Sequence, residues 1–223
     1  MKKVMLTLIA ILGIMMAKAE TPVTVGVDLY NRYVWRGIDF GNSPSIQPTL
    51  KYTIGGFSVG AWGAFATNSE FSEVDLSATY AFSFGLTLLA SDYFATGDGL
   101  NSADYLDYSN DSTSFHAYEL SAIYAYKGLT LTGGYFLNKS DVSDVADGDS
   151  YVEAKYTFEN SLNFFVGAGN GFYTTDTDFM VCNVGVGASK TIKVTDTFSI
   201  PMNAAVMVNP DSKNIFFTVG ISL

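Results

Sequence analysis

Apolar residues fall at every second position over most of the chain. From the first such stretch, Val23, Val25, Val27 and Leu29 share one parity with Tyr33 and Trp35, while Thr24, Asp28, Tyr30, Arg32 and Arg36 occupy the other. A period of two predicts a β-strand with one apolar and one polar face. Residues 37–45 then carry two glycines, Asn42 and Pro44, the composition of a turn. Beyond it Ile46, Leu50, Tyr52 and Ile54 alternate with Gln47, Thr49, Lys51 and Thr53, which predicts the return strand of a hairpin.

The same alternation recurs to the end of the chain. It predicts strands near 23–36, 46–54, 57–66, 73–84, 86–95, 118–126, 129–137, 151–158, 162–168, 180–188, 198–208 and 215–223. In the fifth the pattern weakens and Asp92 marks an expected bulge. In the tenth, Met180, Cys182, Val184, Val186 and Ala188 share the apolar parity, which places the Cys182 thiol on the outer face. Connections alternate between turns of a few residues and longer polar segments, the longest spanning 96–114.

Two architectures alternate in this way. A soluble sandwich or small barrel puts its apolar row inside. A transmembrane barrel puts it outside, with aromatic girdles at the ends of the strands, short turns on one rim and longer loops on the other. Here the polar row is small and hydroxylic with a few charges, and the apolar row is long and ends in Tyr, Trp and Phe. The reading is an all-β, antiparallel transmembrane β-barrel of about twelve strands, with ten or fourteen as alternative counts.

The N-terminus agrees with that reading. Lys2 and Lys3 precede an apolar run from Val4 to Met16, and Ala17, Lys18 and Ala19 form a small-x-small cleavage site. Residues 1–19 are therefore expected to be a secretory signal peptide and residues 20–223 the outer-membrane barrel of a Gram-negative-type bacterium. Losing Lys2, Lys3 and Lys18 leaves nine of the 12 basic residues against all 22 acids, a net charge of -13, which argues against nucleic acid as a partner. Beyond the leader no apolar run reaches the roughly 18 residues of a membrane helix. One cysteine and one histidine offer neither an internal disulfide nor a Cys/His metal cluster, and no cofactor motif is present.

The segment from Asp28 to Ile38, with its Tyr33-Val34-Trp35-Arg36-Gly37-Ile38 core, is followed by Pro44-Ser45-Ile46-Gln47-Pro48 and Gly60-Ala61-Trp62-Gly63. These motifs resemble the TorF-type family of outer-membrane porins. The resemblance covers about the first 45 residues after the leader. It implies an outer-membrane barrel and names no substrate.

Charges on the polar parity are the candidate pore-lining residues: Asp28, Arg32, Arg36, Lys51, Glu73, Asp75, Glu119, Glu153 and Lys155. With Arg32 and Arg36 on the first wall strand and the acids facing them, they predict a transverse field that sorts small polar solutes or ions. The competing expectation is that the groups neutralise one another in a plugged lumen, since buried charges pair. The function expected is passive diffusion through a porin-like channel, with outer-membrane lipids and small solutes as partners. The alternative is a non-conducting structural or adhesive barrel with acidic loops. Those loops, with Asp98, Asp104, Asp107 and Asp111 in one and Asp141, Asp144, Asp147 and Asp149 in another, are candidates for divalent cations, although no twelve-residue calcium-loop pattern occurs and a solvated anionic surface is the simpler reading. Catalysis would fall to His116, the only histidine, which shares parity with Tyr118 and Leu120 and points outward. An enzyme is therefore not expected.

Overall fold

A computed structural model describes residues 23–97, 103–109, 113–140 and 145–223. The expected leader and Asp98, Asp111, Asp141 and Asp144 lie outside the described residues. The strands are β1 (Val23–Tyr30), β2 (Tyr33–Trp35), β3 (Ile38–Phe40), β4 (Ser45–Ile54), β5 (Phe57–Ala66), β6 (Ser72–Ala81), β7 (Leu86–Thr96), β8 (His116–Tyr126), β9 (Leu129–Phe136), β10 (Ser150–Thr157), β11 (Leu162–Gly169), β12 (Met180–Lys193), β13 (Ser199–Asn209) and β14 (Asn214–Ser222). Twelve of them, β1 and β4 to β14, form one closed antiparallel barrel in which each pairs with its neighbour in sequence. Closure comes from β1 against β14, with Asp28 opposite Ser222 and Tyr30 opposite Gly220. Closing the sheet leaves no free edge to seek another chain. Among the described residues no helix is long and apolar enough to cross a membrane.

Alternation decides which face looks out. Leu76 is 44% exposed whereas its neighbour Asp75 is 9% exposed, and on β14 Phe217 is 59% exposed beside Thr218 at 8%. A closed barrel whose outer face is Leu, Val, Phe and Tyr is the inside-out arrangement that lipid requires. The two rims differ as the turn lengths predicted. Turns at 55–56, 82–85, 127–128, 158–161 and 194–198 crowd one end, and the longer connections at 31–44 and 170–179, with the described parts of those that follow β7 and β9, crowd the other.

Three local expectations are corrected. The first wall strand does not run through Tyr33 and Trp35; β1 ends at Tyr30, where the side chain of Asn31 donates to Phe217 O (3.0 Å) and accepts from Val219 N (2.7 Å), closing the ladder. The chain then enters the barrel, and β2 and β3 form a separate hairpin inside it. Tyr33 and Trp35 are therefore not girdle residues. They pack inward, Tyr33 against Trp62 and Trp35 against Tyr93 and Tyr173. The second correction is at Asp92, where β7 stays in regular register with both neighbours. The irregularity lies instead between β11 and β12, where Ala168 pairs with Val181 and Gly167 with Asn183, leaving Cys182 as the extra residue. That bulge is the third correction, because it turns Cys182 into the interior with no exposed surface.

Candidate functional site

The inner hairpin builds the site. Arg36 and Gly37, at φ 50° and 85°, form the two-residue left-handed turn that joins β2 to β3 with the twist a tight hairpin needs. Three aromatic side chains, Tyr33, Trp35 and Phe40, pack against Phe71, Tyr93, Phe172 and Tyr173 from the wall and loops. The hairpin thus has an apolar core of its own, shared with the barrel interior.

Its tip is fixed by charge. The Arg36 guanidinium donates to both oxygens of Glu119 on β8, at 2.6 and 2.8 Å, and to the Tyr173 hydroxyl at 2.5 Å. It also lies over the rings of Trp35 and Tyr151, at 4.3 and 4.7 Å from their centroids. Glu119 is fully buried and receives a further hydrogen bond from the Ser121 hydroxyl. Gly134 on the next strand leaves the space this pair occupies, since a Cβ there would meet both Glu119 and Arg36. Behind the guanidinium, the Tyr151 hydroxyl donates to Glu153 (2.7 Å), and Asn183 donates to both at 3.0 and 3.1 Å. The backbone of Gly37 abuts the Cys182 carbonyl, and Asn209 donates to Gly37 O at 3.2 Å.

The hairpin separates two spaces at the loop end. One is an open, polar vestibule of about 640 Å³ bordered by Arg32, Asp39, Asn42, Thr175, Asn209 and Asp211. There Arg32 pairs with Asp39 at 2.9 Å and with Asn42 at 2.6 Å. Burial pushes the Asp39 carboxyl up from the usual range, and Arg32 opposes that. The other space is a cavity of about 210 Å³ walled by aromatic rings with Glu73 at its side.

The nine predicted charges are thus distributed unevenly. Arg32 and Arg36 leave the wall altogether, one at the rim and one at the hairpin tip, so the basic strip expected on the first strand does not form. Glu119 joins Arg36, and Glu153 joins Tyr151 and Asn183. Glu73 and Asp75 are buried on the lumen face of β6 and, among the described residues, belong to no ion pair. Asp28 and Lys155 are half-buried on the lumen parity, and Lys51 is exposed below the hairpin. Sequence reasoning missed Trp35, Asp39, Tyr151, Tyr173 and Asn183 as site residues. One signal for the hairpin was present: Tyr-Val-Trp, then Arg-Gly, then Ile-Asp-Phe is two short strand-forming runs around a two-residue turn.

His116 is on the outer face, as its parity predicted, but it is buried. Nδ1 meets Asp92 at 2.7 Å, Nε2 meets the Tyr105 carbonyl at 2.9 Å, and Tyr108 stacks on the ring at 4.2 Å. Both ring nitrogens are engaged, so this cluster straps residues 103–109 to the barrel and presents no free base. In the same segment Asp107 accepts from the Ser109 amide at 3.0 Å and from its hydroxyl, which hold its carboxyl below the usual range. Asp149 is buried and accepts from Ala146 N (2.8 Å) and Phe172 N (3.1 Å). Among the described residues no three His, Cys, Asp or Glu side chains gather as a metal site.

No family model and no curated protein matches the chain. Among solved structures the chain is similar to the KdgM porin, at 11% identity and a TM-score of 0.48, covering 89% of this chain and 96% of that one. It is also similar to the outer membrane protein OprD from Pseudomonas aeruginosa, at 15% identity and a TM-score of 0.36, covering 88% and 64%. A triple mutant of the Rhodopseudomonas blastica porin gives 10% identity and a TM-score of 0.39, covering 91% and 99%. These similarities are too distant to carry a functional assignment.

Proposed function

We propose that the protein is a porin-like channel of the bacterial outer membrane, passing small polar solutes or ions through a charged lumen that the hairpin 33–40 narrows. The observation that carries this reading is the hairpin itself. A barrel of twelve strands lies between the side-chain-filled eight-stranded case and the open sixteen-stranded one, and a segment folded into it from the loop rim sets the bore. The apolar outer belt, the expected secretory leader and the motifs that resemble the TorF-type family support the outer membrane as its location. Solutes would enter by the vestibule past Arg32, Asp39 and Asp211, reach the hairpin tip, and leave through the hydroxylic lower lumen where Lys51 is exposed. With Glu73, Asp75 and Glu153 in no ion pair among the described residues, the path would favour cations.

The non-conducting barrel is the second reading, and one feature favours it: Gly37 is seated against the Cys182 carbonyl and held by Asn209, so the tip is locked. Planar-bilayer recording at low salt separates the two. Wild type is expected to show small cation-selective steps. Replacing residues 33–40 by a short Gly-Ser link is expected to enlarge them severalfold. Silence from both proteins, each shown to be folded, would leave the structural barrel as the answer.

A further inference from the structure

Beside the hairpin, on the side away from the vestibule, the cavity of about 210 Å³ is lined by the rings of Trp35, Phe40, Phe71, Tyr93, Phe136 and Phe172. Thr96, Gly97 and Val145 stand at its loop end. Among the described residues a single carboxylate lines this ring-walled space, Glu73 from β6. Glu73 is 7% exposed, and its Oε2 has no hydrogen-bond partner. Tyr33 stands beside the same carboxylate. Two residues further along the same face, Asp75 is 9% exposed and its Oδ1 is also without a partner.

An orphaned oxygen of this kind is costly. A buried carboxylate is ordinarily matched by a cation, as Glu119 is by Arg36 across the same lumen. No Arg or Lys reaches Glu73 or Asp75 among the described residues. The faces of aromatic rings carry negative potential, and rings around a carboxylate are the arrangement that holds an alkylated ammonium group: the rings receive the methyl or methylene surface and the carboxylate receives the charge. The space is below the roughly 300 Å³ of a drug-sized pocket. It suits a guest of a few heavy atoms.

We propose that this cavity is a binding site for a small organic cation, a quaternary or primary alkylammonium group, with Glu73 as its counter-ion and Trp35, Tyr93 and Phe136 among its cage walls. The site is separate from the vestibule and does not depend on whether the barrel conducts.

The test uses residues 20–223 refolded in detergent, with tryptophan fluorescence, read in a Trp62→Phe background so that Trp35 alone reports, and calorimetry as readouts. Tetramethylammonium, choline and butylammonium are titrated beside 3,3-dimethylbutan-1-ol, the uncharged counterpart of choline, and acetate. Saturable binding of a cation at least tenfold tighter than the alcohol, with no binding of acetate, is the expected result. Glu73→Gln keeps shape and removes charge, and is expected to weaken the cation at least tenfold while leaving the alcohol unchanged. Equal affinity for choline and its uncharged counterpart, or no saturable binding of any cation, overturns the proposal. So does a folded Glu73→Gln variant that binds choline as wild type does. Should that variant not fold, the comparison of choline with the alcohol on wild type decides alone.

Discussion

Gly37 carries two constraints at once. Its φ of 85° is one that side chains rarely adopt, and a Cβ would run into the Cys182 carbonyl. Gly37→Ala is therefore expected to destabilise by about 1–3 kcal/mol from backbone strain alone, read as a lower melting temperature of the folded barrel. Arg36 and Glu119 depend on each other in a different manner. Removing one partner leaves an uncompensated buried charge, a loss of about 3–5 kcal/mol, whereas replacing both with apolar residues of similar volume can be close to neutral. Arg36→Met and Glu119→Met should each melt early and the double variant should melt near wild type; additive losses in the double variant would mean that the pair is not a closed electrostatic unit. Cys182 provides a third check. With no exposed surface, it should resist a charged, water-soluble maleimide and a lipid-soluble one alike until the barrel is denatured. Rapid labelling by the lipid-soluble reagent would restore the outward register.

Among the elements, the inner hairpin and the rim strap differ in what holds them. The hairpin has a shared aromatic core, a buried ion pair and a backbone contact, so it is expected to move with the barrel as one cooperative unit. The strap at residues 103–109 is fastened chiefly by His116 and Asp92, with Tyr108 stacked on the imidazole and Tyr105 edge-on to it, and Leu106 is 77% exposed. Asp92→Asn weakens the charged hydrogen bond to Nδ1 and should speed limited proteolysis within this segment severalfold while the melting temperature of the barrel stays the same. If cleavage and melting shift together, the strap is part of the wall's stability and not an added fastening. The bulge in β12 is an element-scale feature too: one extra residue puts Cys182 and Asn183 both inside and turns Met180 and Val181 both outward.

For the molecule as a whole, closure is the dominant fact. Each wall strand is paired on both sides, and the large apolar side chains of the outer face, such as Leu76, Leu120 and Phe217, are exposed. The folded chain should migrate faster on a denaturing gel before boiling than after, because an edgeless sheet resists detergent. Equal mobility in both lanes, together with solubility in the absence of detergent, would contradict the membrane placement.

The strand count, the outward apolar belt and the difference between the two rims were legible in the chain because each is set by local alternation and turn composition. A period of two fixes which residues share a face, and the lengths of the connections fix which rim they crowd. Two features were decided only by tertiary structure. Tyr33 and Trp35 continue the alternation of β1, so periodicity by itself extends the wall through them; what turns them inward is Asn31 closing the ladder and an aromatic core assembled from β5, β7 and two distant loops. Cys182 keeps its parity along the sequence, yet a single-residue bulge reverses its face, and nothing local announces where two strands will slip. Arg36 illustrates the same point in charge: its side chain is matched by Glu119, 83 residues away in sequence, and only closing the barrel brings the two together.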